Sequence, residues 1–179
     1  GDLTESVAEH TIALMMSLGR KIVAADRYVR EGDFKFWDPM IFLGPRFKGK
    51  TFGVVGFGRI GRYTADIARK GFDMRIVYSD RYQQPYSGAE FASLERLLEM
   101  SDVVSLNCSL NESTFHLIDE LQLKQMKPTS YLINTARGPV INEKSLIRAL
   151  KEGWIAGAAL DVFEDEPNIS QELKDLENV

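Results

Sequence analysis

The chain has 179 residues, 44% of them apolar and 27% charged, which suits one globular domain with a self-supporting core and excludes a disordered or fibrous chain. Lys and Arg total 22 against 26 acidic residues, and this formal charge of −4, without a basic block, argues against a nucleic acid as the main partner. The most apolar stretches, such as Thr11 to Leu18, are too short and too interrupted to cross a bilayer, the single cysteine, Cys108, rules out an internal disulfide, and two distant histidines, His10 and His116, give no metal-ligand cluster.

Ser6-Val7-Ala8-Glu9 has capping-box spacing, and a helical apolar spacing then runs through Val7, Thr11, Leu14, Leu18, Ile22 and Ala25 up to Gly32. One long helix is expected from about Thr4 to Glu31. Phe34 to Leu43 follows as an apolar, aromatic segment without a period, closed by Gly44-Pro45. It suits either a lid on the domain's own core or a contact with another subunit or domain.

From Thr51 onward, β-branched runs alternate with helical patterns. Strands are expected at Thr51–Val55, Met74–Tyr78, Val103–Asn107, Ser130–Asn134 and Ile155–Leu160, and helices at Arg59–Lys70, Leu94–Met100, Asp119–Gln125 and Asn142–Glu152. This alternation predicts an α/β fold, a doubly wound parallel sheet with helices on both faces. The polar, turn-rich loop Gln83–Gly88 follows the second strand.

Thr51–Val55 runs into Gly56-Phe57-Gly58-Arg59-Ile60-Gly61 and then into an amphipathic helix. In that setting the first glycine turns the chain, the second lets a pyrophosphate approach the backbone, and the third lets the helix pack on its strand, as in a Rossmann-type dinucleotide site. Asp80 closes the second strand, where a carboxylate can accept both hydroxyls of an adenosine ribose. It would repel a ribose phosphate by roughly 4 kcal/mol at about 4 Å with an effective dielectric near 20. NAD is therefore expected over NADP, although the neighbouring Arg81 leaves NADP open.

Ligands of such sheets bind beyond the carboxyl ends of the strands, which draws attention to two further segments. After the fourth strand comes Asn134-Thr135-Ala136-Arg137-Gly138, whose guanidinium can grip a carboxylate with two parallel hydrogen bonds or form a salt bridge to a helix. After the fifth comes Asp161-Val162-Phe163-Glu164-Asp165-Glu166-Pro167, in which at most one or two carboxylates are expected to have a role.

Thr4–Arg20, Lys48-Gly49-Lys50, Gly56–Gly61, Ser101-Asp102-Val103-Val104, Met126-Lys127-Pro128, Ile133–Gly138 and Asp161–Pro167 together resemble the NAD-binding domain of the D-isomer-specific 2-hydroxyacid dehydrogenases. The likeness covers nearly the whole chain. Trp37 to Gly44 further resembles the glyoxylate and hydroxypyruvate reductase branch. The resemblance implies that Arg137 binds and polarises a small 2-oxo acid, that Glu166 supports a catalytic histidine with Glu164 and Asp165 as spacers, and that Asp161 meets the nicotinamide end. It places Phe57 to Ile60, Ser79 to Arg81 and Thr135 to Arg137 along the dinucleotide. Ser109 departs from the family's proline beside the adenosine, which bears on affinity rather than reaction type.

The family's histidine lies in a Pro-His-x-Gly segment for which this chain has no counterpart, and neither His10, in a helical pattern, nor His116, in a helix-like stretch, aligns with it. Residues 1–179 are therefore expected to be the dinucleotide-binding part of a two-domain cytoplasmic enzyme, with a leading helix at about 4–31 and a Rossmann core at about 48–179. The abrupt start at Gly1-Asp2 fits a connection from a substrate domain. The resemblance also implies a homodimer. Two other readings stay open, an NAD-dependent corepressor-like module and, through the same glycine turn and acidic residue, an S-adenosylmethionine-dependent methyltransferase.

Overall fold

The computed structural model describes residues 3–179, so the start at Gly1-Asp2 lies outside the described residues. Six strands, β1 (Thr51–Val55), β2 (Arg75–Ser79), β3 (Ala89–Phe91), β4 (Val103–Leu106), β5 (Tyr131–Asn134) and β6 (Gly157–Leu160), form one sheet in the order β3-β2-β1-β4-β5-β6. Every pairing is parallel, beginning with Thr51 opposite Arg75. The order reverses between β1 and β4, which is the switch point where such sheets bind ligands.

Alternate strand residues enter opposite layers, as the period of two requires. Phe52, Val54, Ile76, Tyr78 and Ile133 pack against α1 (Thr4–Gly19) and α3 (Arg59–Phe72). Val55, Val77, Val104, Leu106 and Leu132 pack against α4 (Leu94–Met100), α5 (Glu120–Gln125) and α6 (Glu143–Glu152). The sheet is thus covered on both faces, and the expected doubly wound fold is the observed one.

At the amino edge of the sheet, Asp102 accepts from the Thr51 N–H at 2.8 Å and from Lys127 Nζ at 3.1 Å. The Ser101-Asp102 and Lys127-Pro128 motifs are therefore girders of the fold, at the edge opposite the expected site.

Four local expectations need correction. The single leading helix is two, α1 and α2 (Ile22–Arg30), broken at Lys21, whose φ is +52°. The chain returning through Gly44 to Phe47 crosses Gly19 so closely that a side chain at either glycine would meet the Phe47 ring or the Gly19 carbonyl, so the apolar spacing continues while the helix cannot. Ser6 caps nothing, because the helix already starts at Thr4 after Leu3 without a side-chain cap, and Glu9 lies well inside it. A sixth strand, β3, follows the Gln83–Gly88 loop; three edge residues, half-buried to exposed, carry too little pattern to signal it. His116 is in no helix: its φ of +50° places it in a turn.

The aromatic segment does not cover the core. Phe36 and Trp37 are 71% and 78% exposed, and no residue of Phe34–Leu43 joins either core layer. Instead the segment folds over α2, with Phe42 edge-on to Tyr28 at 5.4 Å, around a pocket of about 180 Å³.

Candidate functional site

The carboxyl edge of the sheet gathers the loops after β1, β2, β4, β5 and β6. Gly56 has a φ of +88°, and a Cβ there would strike the backbone of Cys108 at 2.5 Å, so only glycine turns the chain beside β4. Gly58 precedes α3 in extended conformation with open space where a side chain would stand. A Cβ at Gly61 would lie 2.2 Å from the Gly56 carbonyl oxygen and 3.0 Å from Val54, so the third glycine seats α3 on β1. No side chain caps the first turn of α3, whose N–H groups face the edge where a pyrophosphate would be held.

Asp80 follows β2 immediately. One carboxylate oxygen accepts from the Phe57 N–H at 2.7 Å and the other from the Arg81 N–H at 2.6 Å. Each oxygen keeps a second lone pair, so the carboxylate is fixed against the glycine turn and can still accept ribose hydroxyls. Phe57 reaches the site only through its backbone, because its ring is fully buried, stacked on Tyr78 at 4.0 Å and edge-on to Tyr86. Arg59, Ile60, Ser79 and Arg81 lie around the same turn, half-buried or exposed. Arg62 braces it from below, donating to the Phe57 carbonyl at 3.1 Å and to Gln84 at 2.8 Å.

At the end of β4, Asn107 donates to the Ser105 carbonyl and hydroxyl, while its own side-chain oxygen is buried without a partner. Burial pushes the Cys108 thiol up to about 11, with the Asp80 charge adding to the effect, so Cys108 is a protonated wall residue and no nucleophile. A turning glycine, an open second glycine, an uncapped helix start and a fixed carboxylate all suit a dinucleotide.

After β5, Asn134 fastens the Thr135–Gly138 turn. Its side-chain oxygen accepts from the Ala136 N–H at 3.0 Å and its amide donates to the Arg137 carbonyl at 3.0 Å. Arg137 is exposed, and among the described residues its guanidinium bonds to the Ala136 carbonyl and to no helix carboxylate, so the alternative of a salt bridge to a helix is not seen there. After β6, the Asp161 N–H bonds to the Asn134 carbonyl, and Glu166 accepts from the Phe163 N–H at 2.9 Å. The two loops meet at Gly138, where a Cβ would lie 1.8 Å from the Phe163 carbonyl oxygen and 2.6 Å from the Glu164 nitrogen. Arg137 and Glu166 therefore stand on adjoining loops of neighbouring strands.

Several contacts at this edge have no counterpart in the sequence reading. His10 bonds Asp161 at 3.2 Å and buried Thr11 bonds Thr135 at 2.9 Å, so α1 buttresses both loops. Glu164 is not a spacer: one oxygen meets His116 Nε2 at 2.7 Å and the other accepts from the Glu143 N–H at 2.8 Å. The one sequence signal for Thr11 is a hydroxyl set in an apolar helix stripe. Among the described residues no cluster of histidine, cysteine or carboxylate could hold a metal ion, and no helix is long and apolar enough to cross a membrane.

The profile of the D-isomer specific 2-hydroxyacid dehydrogenase NAD binding domain matches residues 12–179. A glyoxylate reductase of Thermococcus litoralis is 50% identical over 187 residues, covering 100% of this chain and 56% of that protein. The crystal structure of a glyoxylate reductase from Paecilomyes thermophila superimposes with a TM-score of 0.91 at 39% identity, covering 98% of this chain and 53% of that one. A D-isomer specific 2-hydroxyacid dehydrogenase of Lactobacillus delbrueckii, in its NAD-complexed form, gives a TM-score of 0.85 at 31% identity over 98% of this chain and 57% of that one. The chain thus spans about half the length of the relatives it matches.

Proposed function

The chain belongs to the D-isomer specific 2-hydroxyacid dehydrogenases, as their NAD-binding domain, and on that premise we propose that the whole protein transfers hydride between the nicotinamide and a small 2-oxo or 2-hydroxy acid such as glyoxylate or hydroxypyruvate. The observation that carries this reading is the close seat of Gly138 on Phe163, which puts the Arg137 loop against the Glu166 loop beside the cofactor edge. The likenesses are to oxidoreductases and lend nothing to the corepressor or methyl-transfer readings.

NADH bound at this edge would supply the hydride that reduces the 2-oxo acid. Gly56 to Gly61 and the start of α3 would hold the pyrophosphate, Asp80 would take the adenosine ribose hydroxyls, and Ser79, Arg81, Thr135, Ala136 and Asp161 would line the remainder. Arg137 grips the substrate carboxylate and polarises its carbonyl, so that the reacting atoms stay in line. Glu166 orients a protonated histidine, contributed by a segment outside residues 1–179, that donates a proton to the carbonyl oxygen. Asp80 favours NAD(H), and Arg81, whose guanidinium is exposed, is the group that would admit NADP(H).

The reading extends to a cytoplasmic homodimer joined through α1, α2 and Phe34–Leu43, supported by the exposed aromatic surface of that segment. The direct test is turnover. Residues 1–179 alone should oxidise NADH with glyoxylate or hydroxypyruvate at close to background, and the full-length protein should do so readily. Arg137→Ala in the full-length protein should then lower kcat/KM by on the order of a hundredfold, the loss of a bidentate charged contact. Robust turnover by residues 1–179 would show that another group, such as His116, supplies the proton, and the assignment of roles would fall.

A further inference from the structure

His116 bonds to both sides of the Arg137–Glu166 edge, to the Pro139 segment through its backbone and to Glu164 through its ring. Its backbone N–H donates to the Pro139 carbonyl at 2.8 Å, and two residues on, Ile118 forms a parallel bridge with Ile141. The segment 116–118 therefore runs alongside the turn that leaves Arg137. The imidazole points the other way, into the loop that carries Glu166, where Nε2 meets Glu164 at 2.7 Å. Glu164 passes the restraint on, since its second oxygen accepts from the first N–H of α6, while the Glu143 side chain accepts from the Glu164 N–H at 3.4 Å.

Three features mark this pair as more than a surface contact. The two side chains are only 26% and 30% exposed, so the hydrogen bond is shielded. Phe115 stacks on the imidazole at 4.0 Å and covers it. His116 itself is held at a φ of +50°, a left-handed conformation that an L residue adopts at a cost, and that conformation lets one residue bond Pro139 with its backbone and Glu164 with its side chain.

We propose that His116, acting through Glu164, is a positioning residue that sets the spacing between Arg137 and Glu166. It touches neither substrate nor cofactor. The proposal rests on the roles given above to Arg137 and Glu166, because their spacing matters only if one holds the substrate and the other the proton donor. Cofactor affinity should depend on the clamp far less than turnover does, since the glycine turn and Asp80 are anchored by other residues and only Thr135, Ala136 and Asp161 share the clamped loops.

The test compares His116→Ala, His116→Asn and Glu164→Gln in the full-length protein. Asparagine tolerates the left-handed backbone and retains a donor for Glu164. His116→Ala should lower kcat for the 2-oxo acid by roughly tenfold to a hundredfold, the scale expected of a 1 Å misalignment, while the Kd for NADH changes by no more than about threefold. His116→Asn should recover part of the loss, and amide exchange should quicken together at 137–143 and 161–166 in His116→Ala and in Glu164→Gln. Unchanged kcat, or a loss of NADH affinity equal to the loss of kcat, would overturn the proposal. If the unmutated protein reduces no 2-oxo acid, the proposed function fails instead, and amide exchange confined to 161–166 would still show that His116 does not couple the loops.

Discussion

Asp80 spends one lone pair of each oxygen on the N–H groups of Phe57 and Arg81, and on the proposal that the others take the ribose hydroxyls, cofactor choice turns on this residue. Asp80→Ala should weaken NADH binding and narrow its margin over NADPH, as two fluorescence titrations would show; a wild-type chain that binds NADPH at least as tightly as NADH would give the decision to Arg81. Beside it, the Tyr86 hydroxyl donates to Asp66 and holds that carboxyl below its ordinary range, tying the Gln83–Gly88 loop to α3. A depressed carboxylate stabilises the fold above its unfolded value and loses that contribution as pH falls through the folded one. Tyr86→Phe should therefore be less stable than wild type at neutral pH, with the difference closing below the ordinary carboxylate range. Residue by residue, the places of Gly56, Asp80, Arg137 and Glu166 at the carboxyl edge of the sheet were legible because a strand end or a short motif marks each of them. The partnerships of Thr11 with Thr135 and of His116 with Glu164 were not, because they join residues far apart in the chain that only the folded sheet edge brings together.

At the scale of the element, strands buried on both faces announce themselves. β1 lies where the pattern puts it, and β2, β4, β5 and β6 differ from expectation by a residue or two at their ends. The elements that escaped are those with little to bury: α2 has no buried residue, and β3 is a three-residue edge strand. The glycine turn offers a test that separates folding from binding. Gly58→Ala meets nothing within 4 Å, so it should leave Tm unchanged while putting a methyl group where a pyrophosphate would approach. NADH affinity should then fall by on the order of tenfold, the cost of one or two backbone hydrogen bonds. Gly56→Ala forces a side chain to a φ of +88° against Cys108 and should instead lower Tm as well as affinity, a destabilisation of about 1–3 kcal/mol.

At the scale of the whole molecule, residues 22–43 and the rest of the domain make different use of their apolar residues. The sheet and its flanking helices bury theirs, whereas α2 and Phe34–Leu43 leave Ile22, Val23, Phe36, Trp37 and Met40 mostly exposed. A homodimer formed there should be weakened by Trp37→Ser together with Phe36→Ser. Light scattering should then report a monomer where the unmutated protein is a dimer, and a monomer in both would remove the interface. The carboxyl edge of the sheet is built to hold a dinucleotide, and titration of residues 1–179 with NADH and, separately, with S-adenosylmethionine would show whether it does. Saturable NADH binding that weakens by on the order of tenfold in Gly58→Ala, with none for S-adenosylmethionine, is the result the carboxyl-edge geometry predicts; a folded chain that binds S-adenosylmethionine, or that fails to bind NADH, would contradict it.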